Sequence, residues 1–171
     1  MVAVSTHRLI LKDLAKEDVN DLFEVRGDPD VMAFWDWPPD TSLAATATVV
    51  DQMLRDVASG QARFWTVRLR SDHSFVGLCD FSELEPGRSA DIGFLFVRRY
   101  WGLGLAHDAV GCILEHARTL CLKSVRARVH RGNERSERLL RRAGFTAVEA
   151  IPQFEIRPGV YRDCERFEIL L

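Results

Sequence analysis

The sequence contains no long apolar run. Its longest stretch without Asp, Glu, Lys or Arg is the ten residues 41–50, half of the roughly 20 that a membrane-spanning helix requires. The first residues offer no apolar signal block either, because Arg8 and Lys12 bracket a short strand-like run. The expectation is a cytoplasmic protein with no membrane partner. Cysteine is scarce and badly spaced for chemistry. Cys79, Cys112, Cys121 and Cys164 form no C-x-x-C pair and have no histidine at metal-ligand spacing, so they read as free thiols packed as small hydrophobes. The five histidines are scattered, with no H-E-x-x-H arrangement, and no metal is expected. The chain lacks internal repeats and low-complexity linkers, and 171 residues correspond to a single domain spanning 1–171.

What is present is ordinary globular material. Apolar residues make up 47% and charged residues 28%, and a chain of this length buries a core without disulfide or metal staples. The formal net charge of −2 conceals an asymmetry: between residues 98 and 142, eleven basic side chains stand against four acidic ones, a local +7 that leaves −9 on the remainder. Such a segment suits a polyanionic ligand, either nucleic acid or a phosphate-rich cofactor.

Hydrophobic periodicity predicts a mixed α/β domain. Residues 6–11 read as a strand. A helix follows from about residue 15, with Val19, Leu22, Phe23 and Val25 apolar, and is broken by Gly27-Asp28-Pro29. Phe34-Trp35-Asp36-Trp37-Pro38-Pro39 is an aromatic, proline-locked loop. Ser42 opens a helix to about residue 58, with Val49, Val50, Met53, Leu54 and Val57 as its buried stripe. Strands are expected at 64–70, 75–81 and 90–97, with turns at His73 and Pro86-Gly87. A long helix covers about 104–120, with Ala106, Val110, Ile113, Leu114 and Ala117 on one face. A strand at 125–130, a short helix at 133–143 closed by Gly144, and strands at 145–151 and 161–170 complete the chain.

The most informative stretch joins an apolar strand, Phe94-Leu95-Phe96-Val97, through Arg98-Arg99-Tyr100-Trp101-Gly102-Leu103-Gly104 to the helix beginning at Leu105-Ala106. Glycines let backbone approach a ligand closely, several N–H groups converge, and a helix N-terminus adds partial positive charge, which is the physics of a pyrophosphate cradle. Two specific nucleotide folds are excluded. A dinucleotide fingerprint needs a third glycine where His107 stands and an acidic residue where His130-Arg131 ends the next strand. A P-loop needs a terminal Gly-Lys-Ser/Thr, which this turn lacks. Some 30 residues later, Asn133-x-x-Ser136 opens a short helix that ends in Ala143-Gly144-Phe145.

Together these stretches resemble the GNAT N-acetyltransferases. Arg99-x-x-Gly102-x-Gly104-x-Ala106 is similar to that family's acetyl-CoA-binding motif, and Asn133-x-x-Ser136-x-x-Leu139-x-x-x-Ala143-Gly144-Phe145 to its next motif. Thr6-x-Arg8-Leu9-x-Leu11, Asp91-Ile92-Gly93-Phe94 and Tyr100-Trp101-Gly102 resemble the branch that contains the ribosomal-protein N-terminal alanine and serine acetyltransferases. The resemblance implies the acyl-CoA N-acyltransferase fold, a mostly antiparallel α/β sheet flanked by helices, with acetyl-CoA as cosubstrate. It implies that the backbones of Phe96 and Val97 hold the pantetheine arm. Arg99 and the N–H groups of Trp101, Gly102, Leu103, Gly104, Leu105 and Ala106 would hold the pyrophosphate. Asn133 would bind the arm, and Arg138 would reach the nucleotide phosphates. Arg126, Arg128 and Arg141 read as solvent-facing charges.

Amine acetylation needs a neutral amine, donors for the oxyanion and a proton for the leaving thiolate. Asp91 is the expected base or anchor of a base water, standing where the family usually has Glu, with Asp80 and Glu83 on the preceding strand in reserve. Ser136 is the expected acid, since Leu139-Leu140 occupy the place where many relatives carry a tyrosine. Trp35 and Trp37, in the loop at 34–39, are expected to wall the acceptor cleft, with a turn at 154–161 as the opposite lip. The leading reading is an acetyl-CoA-dependent N-acetyltransferase that acts on a primary amine, either a protein N-terminus or a small molecule, by direct attack in a ternary complex, with a homodimer as a possible assembly. The alternative is a CoA-binding regulatory module with little or no catalysis. A nucleic-acid binder comes third, because no nucleic-acid fold signature accompanies the arginines.

Overall fold

The computed structural model describes residues 4–171. Among the described residues eight strands and five helices follow one another: β1 (Val4–Ser5), β2 (Leu9–Asp13), α1 (Val19–Arg26), α2 (Pro29–Met32), α3 (Leu43–Ala58), β3 (Arg63–Leu69), β4 (Phe75–Glu85), β5 (Ser89–Phe96), α4 (Leu105–Thr119), β6 (Ser124–His130), α5 (Glu134–Arg142), β7 (Thr146–Arg157) and β8 (Val160–Leu170). All eight strands join one sheet in the order β1-β2-β3-β4-β5-β6-β8-β7. Every neighbouring pair is antiparallel except β5 and β6. No helix among the described residues is long and apolar enough to cross a membrane.

The period-2 alternation of strands distributes side chains between two cores. On one face Ile92 and Phe96 of β5 pack with Val76 and Phe81 of β4 beneath α4 and Leu140 of α5. On the other, Leu95 and Val97 pack with Leu78 beneath α1, α2 and α3. The sheet is therefore a partition, with α4 and α5 on one side and α1 to α3 on the other.

Helix ends follow the sequence signals closely, whereas the buried stripes differ in detail. Ser42 caps α3 by accepting a hydrogen bond from the Ala45 N–H at 3.2 Å. Burial along α3 falls on Thr46, Val50 and Met53, and the expected stripe position Val57 stands 39% exposed. Thr46 is buried despite its hydroxyl because that group donates to Asp40 at 2.7 Å, and Asp40 is in turn gripped by two guanidinium nitrogens of Arg26. On α4 the buried first-turn residue is Leu105, whereas Ala106 turns toward the cleft described below. Ser42→Ala should lower stability by about 1 kcal/mol, the usual loss for an N-cap hydroxyl. Urea unfolding monitored by circular dichroism should show that loss with the unfolding slope unchanged.

Three strands run further than expected. β4 continues past Phe81 to Glu85 through an irregularity in its pairing with β5, where Glu83 adopts a left-handed φ of 47°. β7 and β8 extend to Arg157 and from Val160, so the predicted turn at 154–161 is the end of a long hairpin whose loop is only Pro158-Gly159.

Candidate active site

The parallel neighbours β5 and β6 pair only at Ser89–Ser124, Ala90–Val125 and Asp91–Arg126. Beyond Asp91 they part. β5 stays bonded to β4 as far as Phe96, and β6 to β8 as far as His130, so each carries an unpaired inner edge into the gap. A cleft of about 910 Å³ occupies this fork. Because the sheet is a partition, the fork is a passage from one face to the other.

On the α4 side the passage is built for an anion. Gly104 holds the N-cap position of α4 with a φ of 77°, and Gly102 has a φ of 79°, both in the region that favours glycine. Ser42, Asn133 and Asp28 each place a side-chain oxygen over the first turn of their helices, but no side chain among the described residues caps α4. Its leading N–H groups thus remain available to a ligand, and the helix dipole adds to their pull on negative charge. The shape of the turn is fixed from below by Arg8 of the chain entering β2, which donates to the Leu103 carbonyl at 3.0 Å and to the Asp108 carboxylate at 2.7 Å. The same contact holds the Asp108 carboxyl below the usual carboxylate range. Facing the turn, α5 contributes Arg135, Arg138, Arg141 and Arg142 to the cleft wall. The Arg135 guanidinium lies 3.8 Å from the ring centre of Trp101, whose indole N–H donates to the Phe96 carbonyl at 2.8 Å. Trp101 thereby links the end of β5 to α5 across the open side of the fork.

The α1–α3 side is acidic. Asp80 and Gly93 are directly opposed across β4 and β5, as are Ser82 and Asp91, so Asp80, Ser82 and Asp91 project from the same face. Asp30 and Asp36, from α2 and the loop after it, also line this end. Asp91 accepts from Arg126 at 2.8 Å. Asp80 is only 6% exposed, and burial, followed by the nearby charge of Asp91, pushes its carboxyl up to about 7. Asp36 is the tie that closes the far end. It accepts from Arg128 at 2.5 Å and is paired with His130 at 2.8 Å, while its carbonyl accepts from Arg157 of the β7–β8 hairpin. The two expected lips are thus joined across the cleft.

Most of the residues singled out in the sequence meet here. Asp91, Phe96, Trp101, Gly102, Gly104, Ala106, Asn133, Ser136, Arg138 and Trp35 all line the cleft. Others do not, each for a visible reason. Val97 spends both backbone groups inside the protein, its N–H on the Val76 carbonyl and its carbonyl on the Tyr100 N–H. Strand alternation consequently leaves the Phe96 N–H, not that of Val97, directed into the gap. The turn at 98–100 sends its arginines outward: Arg98 pairs with Asp28 and Asp30, and Arg99 pairs with Glu24 and lies 4.8 Å from the ring centre of Tyr100. The side chain of Leu103 is an exposed tip and that of Leu105 is buried beneath the helix, so neither side chain lines the cleft, while the Leu105 N–H belongs to the uncapped first turn of α4; Trp37 stands 54% exposed outside the cleft. Asn133 uses its Oδ1 to cap α5, accepting from the Ser136 N–H at 3.3 Å, which leaves its amide nitrogen for a ligand.

Arg126 and Arg128 are not solvent-facing charges, since each is held by a cleft carboxylate and Arg128 also lies 4.0 Å from the ring centre of Phe154. Arg141 lines the cleft and lies 5.1 Å from the ring centre of Phe167. Sequence reasoning missed Asp36, His130 and Arg135. The Asp36–His130 pair spans 94 positions, a separation at which no local pattern signals a contact.

Comparison with known proteins agrees with this geometry. The profile described as "Acetyltransferase (GNAT) domain" matches residues 8–146. The chain is 29% identical to "Uncharacterized N-acetyltransferase p20" of Bacillus licheniformis, over 99% of this chain and 97% of that protein. Its fold superposes on the spermidine N-acetyltransferase from Vibrio cholerae solved with CoA and spermine, at a TM-score of 0.83 and 20% identity over 96% of both chains. It also superposes on RimL, the ribosomal L7/L12 alpha-N-protein acetyltransferase, in complex with coenzyme A, at a TM-score of 0.86 and 20% identity over 97% of this chain and 96% of that one. A profile match over most of the sequence, together with a parallel pair of strands that opens onto an uncapped helix, leads to one conclusion: the chain belongs to the GNAT family of N-acetyltransferases.

Proposed function

We propose that this chain transfers the acetyl group of acetyl-CoA to a primary amine by direct attack, with both substrates meeting in the fork. The observation that carries this reading is the change in charge through the sheet. An uncapped helix N-terminus and four arginines of α5 stand on one side, and four aspartates line the other, one of which, Asp80, has no cationic partner among the described residues. A pyrophosphate fits the first, and a protonated amine fits the second. Holding the two together supplies a large part of the acceleration, because a bimolecular encounter becomes a positioned one.

The chain's own residues divide the work. The first-turn N–H groups of α4, with Gly102, Gly104 and Arg135, would hold the pyrophosphate, and Arg138 would reach the nucleotide phosphates. The Phe96 N–H and the Asn133 amide would hold the pantetheine arm. Ser136 lines the passage from the first turn of α5 and would give a proton to the departing thiolate. Asp91 and Asp80 mark the amine end, walled by Trp35. The acceptor is either a small polycation or a protein N-terminus, and the carboxylates favour one that arrives charged.

The test is acetyl transfer from acetyl-CoA, read by release of the free thiol, to spermidine, spermine, a simple alkylamine and a peptide with an N-terminal serine. A thermal shift with acetyl-CoA, against ATP and a short duplex DNA, accompanies it. At 100 times its Kd a ligand stabilises by about 2.7 kcal/mol, several degrees in Tm for a chain of this size. A shift with DNA and none with acetyl-CoA would overturn the proposal. Within it, Ser136→Ala should reduce kcat at least tenfold with acetyl-CoA affinity unchanged, and an undiminished kcat would remove Ser136 from the mechanism.

A further inference from the structure

Two carboxylates stand beside the fork, and the structure treats them differently. Asp91 is the last residue of β5 to pair with β6, and its partner there, Arg126, also grips its carboxylate at 2.8 Å. Asp80 is one strand further in, on β4, facing the cleft. It stands opposite Gly93, and a Cβ on that glycine would lie 2.3 Å from its Oδ1. Room for the Asp80 carboxylate therefore exists only because position 93 has no side chain. Among the described residues no hydrogen bond or cation answers this carboxylate, and burial and the Asp91 charge both act to keep a proton on it. A carboxylate at the floor of a cleft, given space by a glycine and left without a partner, is an acceptor waiting for one.

We propose that Asp80, not Asp91, takes the proton from the acceptor ammonium, with Asp91 as the neighbouring charge that draws the cation in. This rests on the acetyl-transfer reading above. The ammonium nitrogen gives one proton to Asp80 and becomes a neutral amine. Its lone pair forms the C–N bond at the thioester carbonyl as the C–S bond breaks. The thiolate takes a proton from Ser136, which regains one from the nitrogen as the amide forms, and Asp80 returns its proton to solvent. Asp80 can perform this step near neutral pH because burial and the Asp91 charge bring its carboxyl close to the working pH, where an ordinary carboxylate is too weak a base. The charged groups that face it are Asp91 of β5, Arg126, Arg128 and His130 of β6, Asp36 of the loop after α2, and Asp30 of α2. Arg126 is held by Asp91, and Arg128 and His130 are held by Asp36, so the cations of β6 are engaged elsewhere.

The experiment uses the full chain and the Asp80→Asn, Asp80→Glu and Asp91→Asn variants. Acetyl-CoA binding is measured by calorimetry. The pH dependence of kcat and kcat/KM is measured with the amine of the panel above that turns over fastest. In wild type, kcat/KM is expected to rise about tenfold per pH unit and to bend near 7. Asp80→Asn should bind acetyl-CoA within twofold of wild type, lose a hundredfold or more in kcat, and lose the bend. Asp80→Glu should recover part of kcat. Asp91→Asn should keep the bend but move it to lower pH, because one of the two influences on Asp80 is gone. A bend near 7 that persists in Asp80→Asn, or a kcat within threefold of wild type, overturns the proposal. Failure of wild type to bind acetyl-CoA would overturn the acetyl-transfer reading instead. In that event the carboxyl of Asp80, followed by NMR with 13C-labelled aspartate and spermine as probe, still decides. A midpoint lowered by spermine supports Asp80 as the ammonium's partner, and one that spermine leaves unchanged refutes it.

Discussion

Replacing Gly104 with valine is expected to weaken acetyl-CoA binding at least a hundredfold while leaving a folded protein. Two effects act together. Gly104 has a φ of 77°, a region that costs an L-residue about 1–2 kcal/mol and a β-branched one more. The new side chain would also project from the N-cap of α4, where the proposed pyrophosphate site lies. A Cβ there would come within 3.3 Å of the Arg8 guanidinium, which itself secures the Leu103 carbonyl and Asp108. The substitution thus disturbs both the cradle and its support. A hundredfold loss corresponds to about 2.7 kcal/mol. Calorimetric titration with acetyl-CoA checks it, with far-UV circular dichroism to establish that the variant is folded. Leu103→Ala is the control. Leu103 is 57% exposed and outside the cleft wall, so its truncation should leave affinity unchanged. A folded valine variant with wild-type affinity would place the cofactor somewhere other than this turn.

The glycine turn into α4 was legible in the sequence because its determinants are local. An apolar strand, two glycines and an amphipathic helix within fifteen residues specify a turn whose geometry follows from backbone preferences alone. Asn133 as an N-cap and Gly144 as a helix stop were readable for the same reason, and the structure places both where expected. The opening Thr6-x-Arg8 pattern acquires a physical meaning only in three dimensions. Thr6 accepts from the Arg8 and Leu9 N–H groups at 3.1 and 2.9 Å, which aims Arg8 at a turn 95 residues away.

What stayed hidden depends on how strands part and on which charges find each other. Arg99 belongs to a motif that implied phosphate contact, yet Glu24 lies within its reach and the short turn at 98–100 directs it there. Arg128 and His130 looked like unremarkable polar positions at the end of a strand until the loop after α2 brought Asp36 between them. Asp80 carried no sequence signal stronger than its place on a strand. Its setting comes from the register that sets it against Gly93 and from the fork that begins two residues earlier on β5.

That placement has a stability cost that can be measured apart from any reaction. Asp80 holds its proton up to about pH 7 in the folded chain, against about 3.9 for an unperturbed aspartate in the unfolded one. The folded state therefore binds the proton more tightly. The resulting stabilisation is fully present below about pH 4 and is lost as pH rises through 7, where folding must instead bury a charge without a partner. Three units of difference correspond to about 4 kcal/mol at most. Asparagine is neutral throughout and escapes this loss. Asp80→Asn should accordingly unfold at nearly the same temperature as wild type near pH 4.5. At pH 8.5 it should be the more stable protein by about 2–4 kcal/mol, some 5–15 °C in Tm for a chain of this size. Equal differences at the two pH values would mean that Asp80 ionises as freely folded as unfolded, and the basis for its role as proton acceptor would be gone. A gain that grows from about pH 4 and levels off above about 7, combined with lost turnover, would identify a residue that destabilises the fold it belongs to. Selection tolerates such a residue where its chemistry requires the strain.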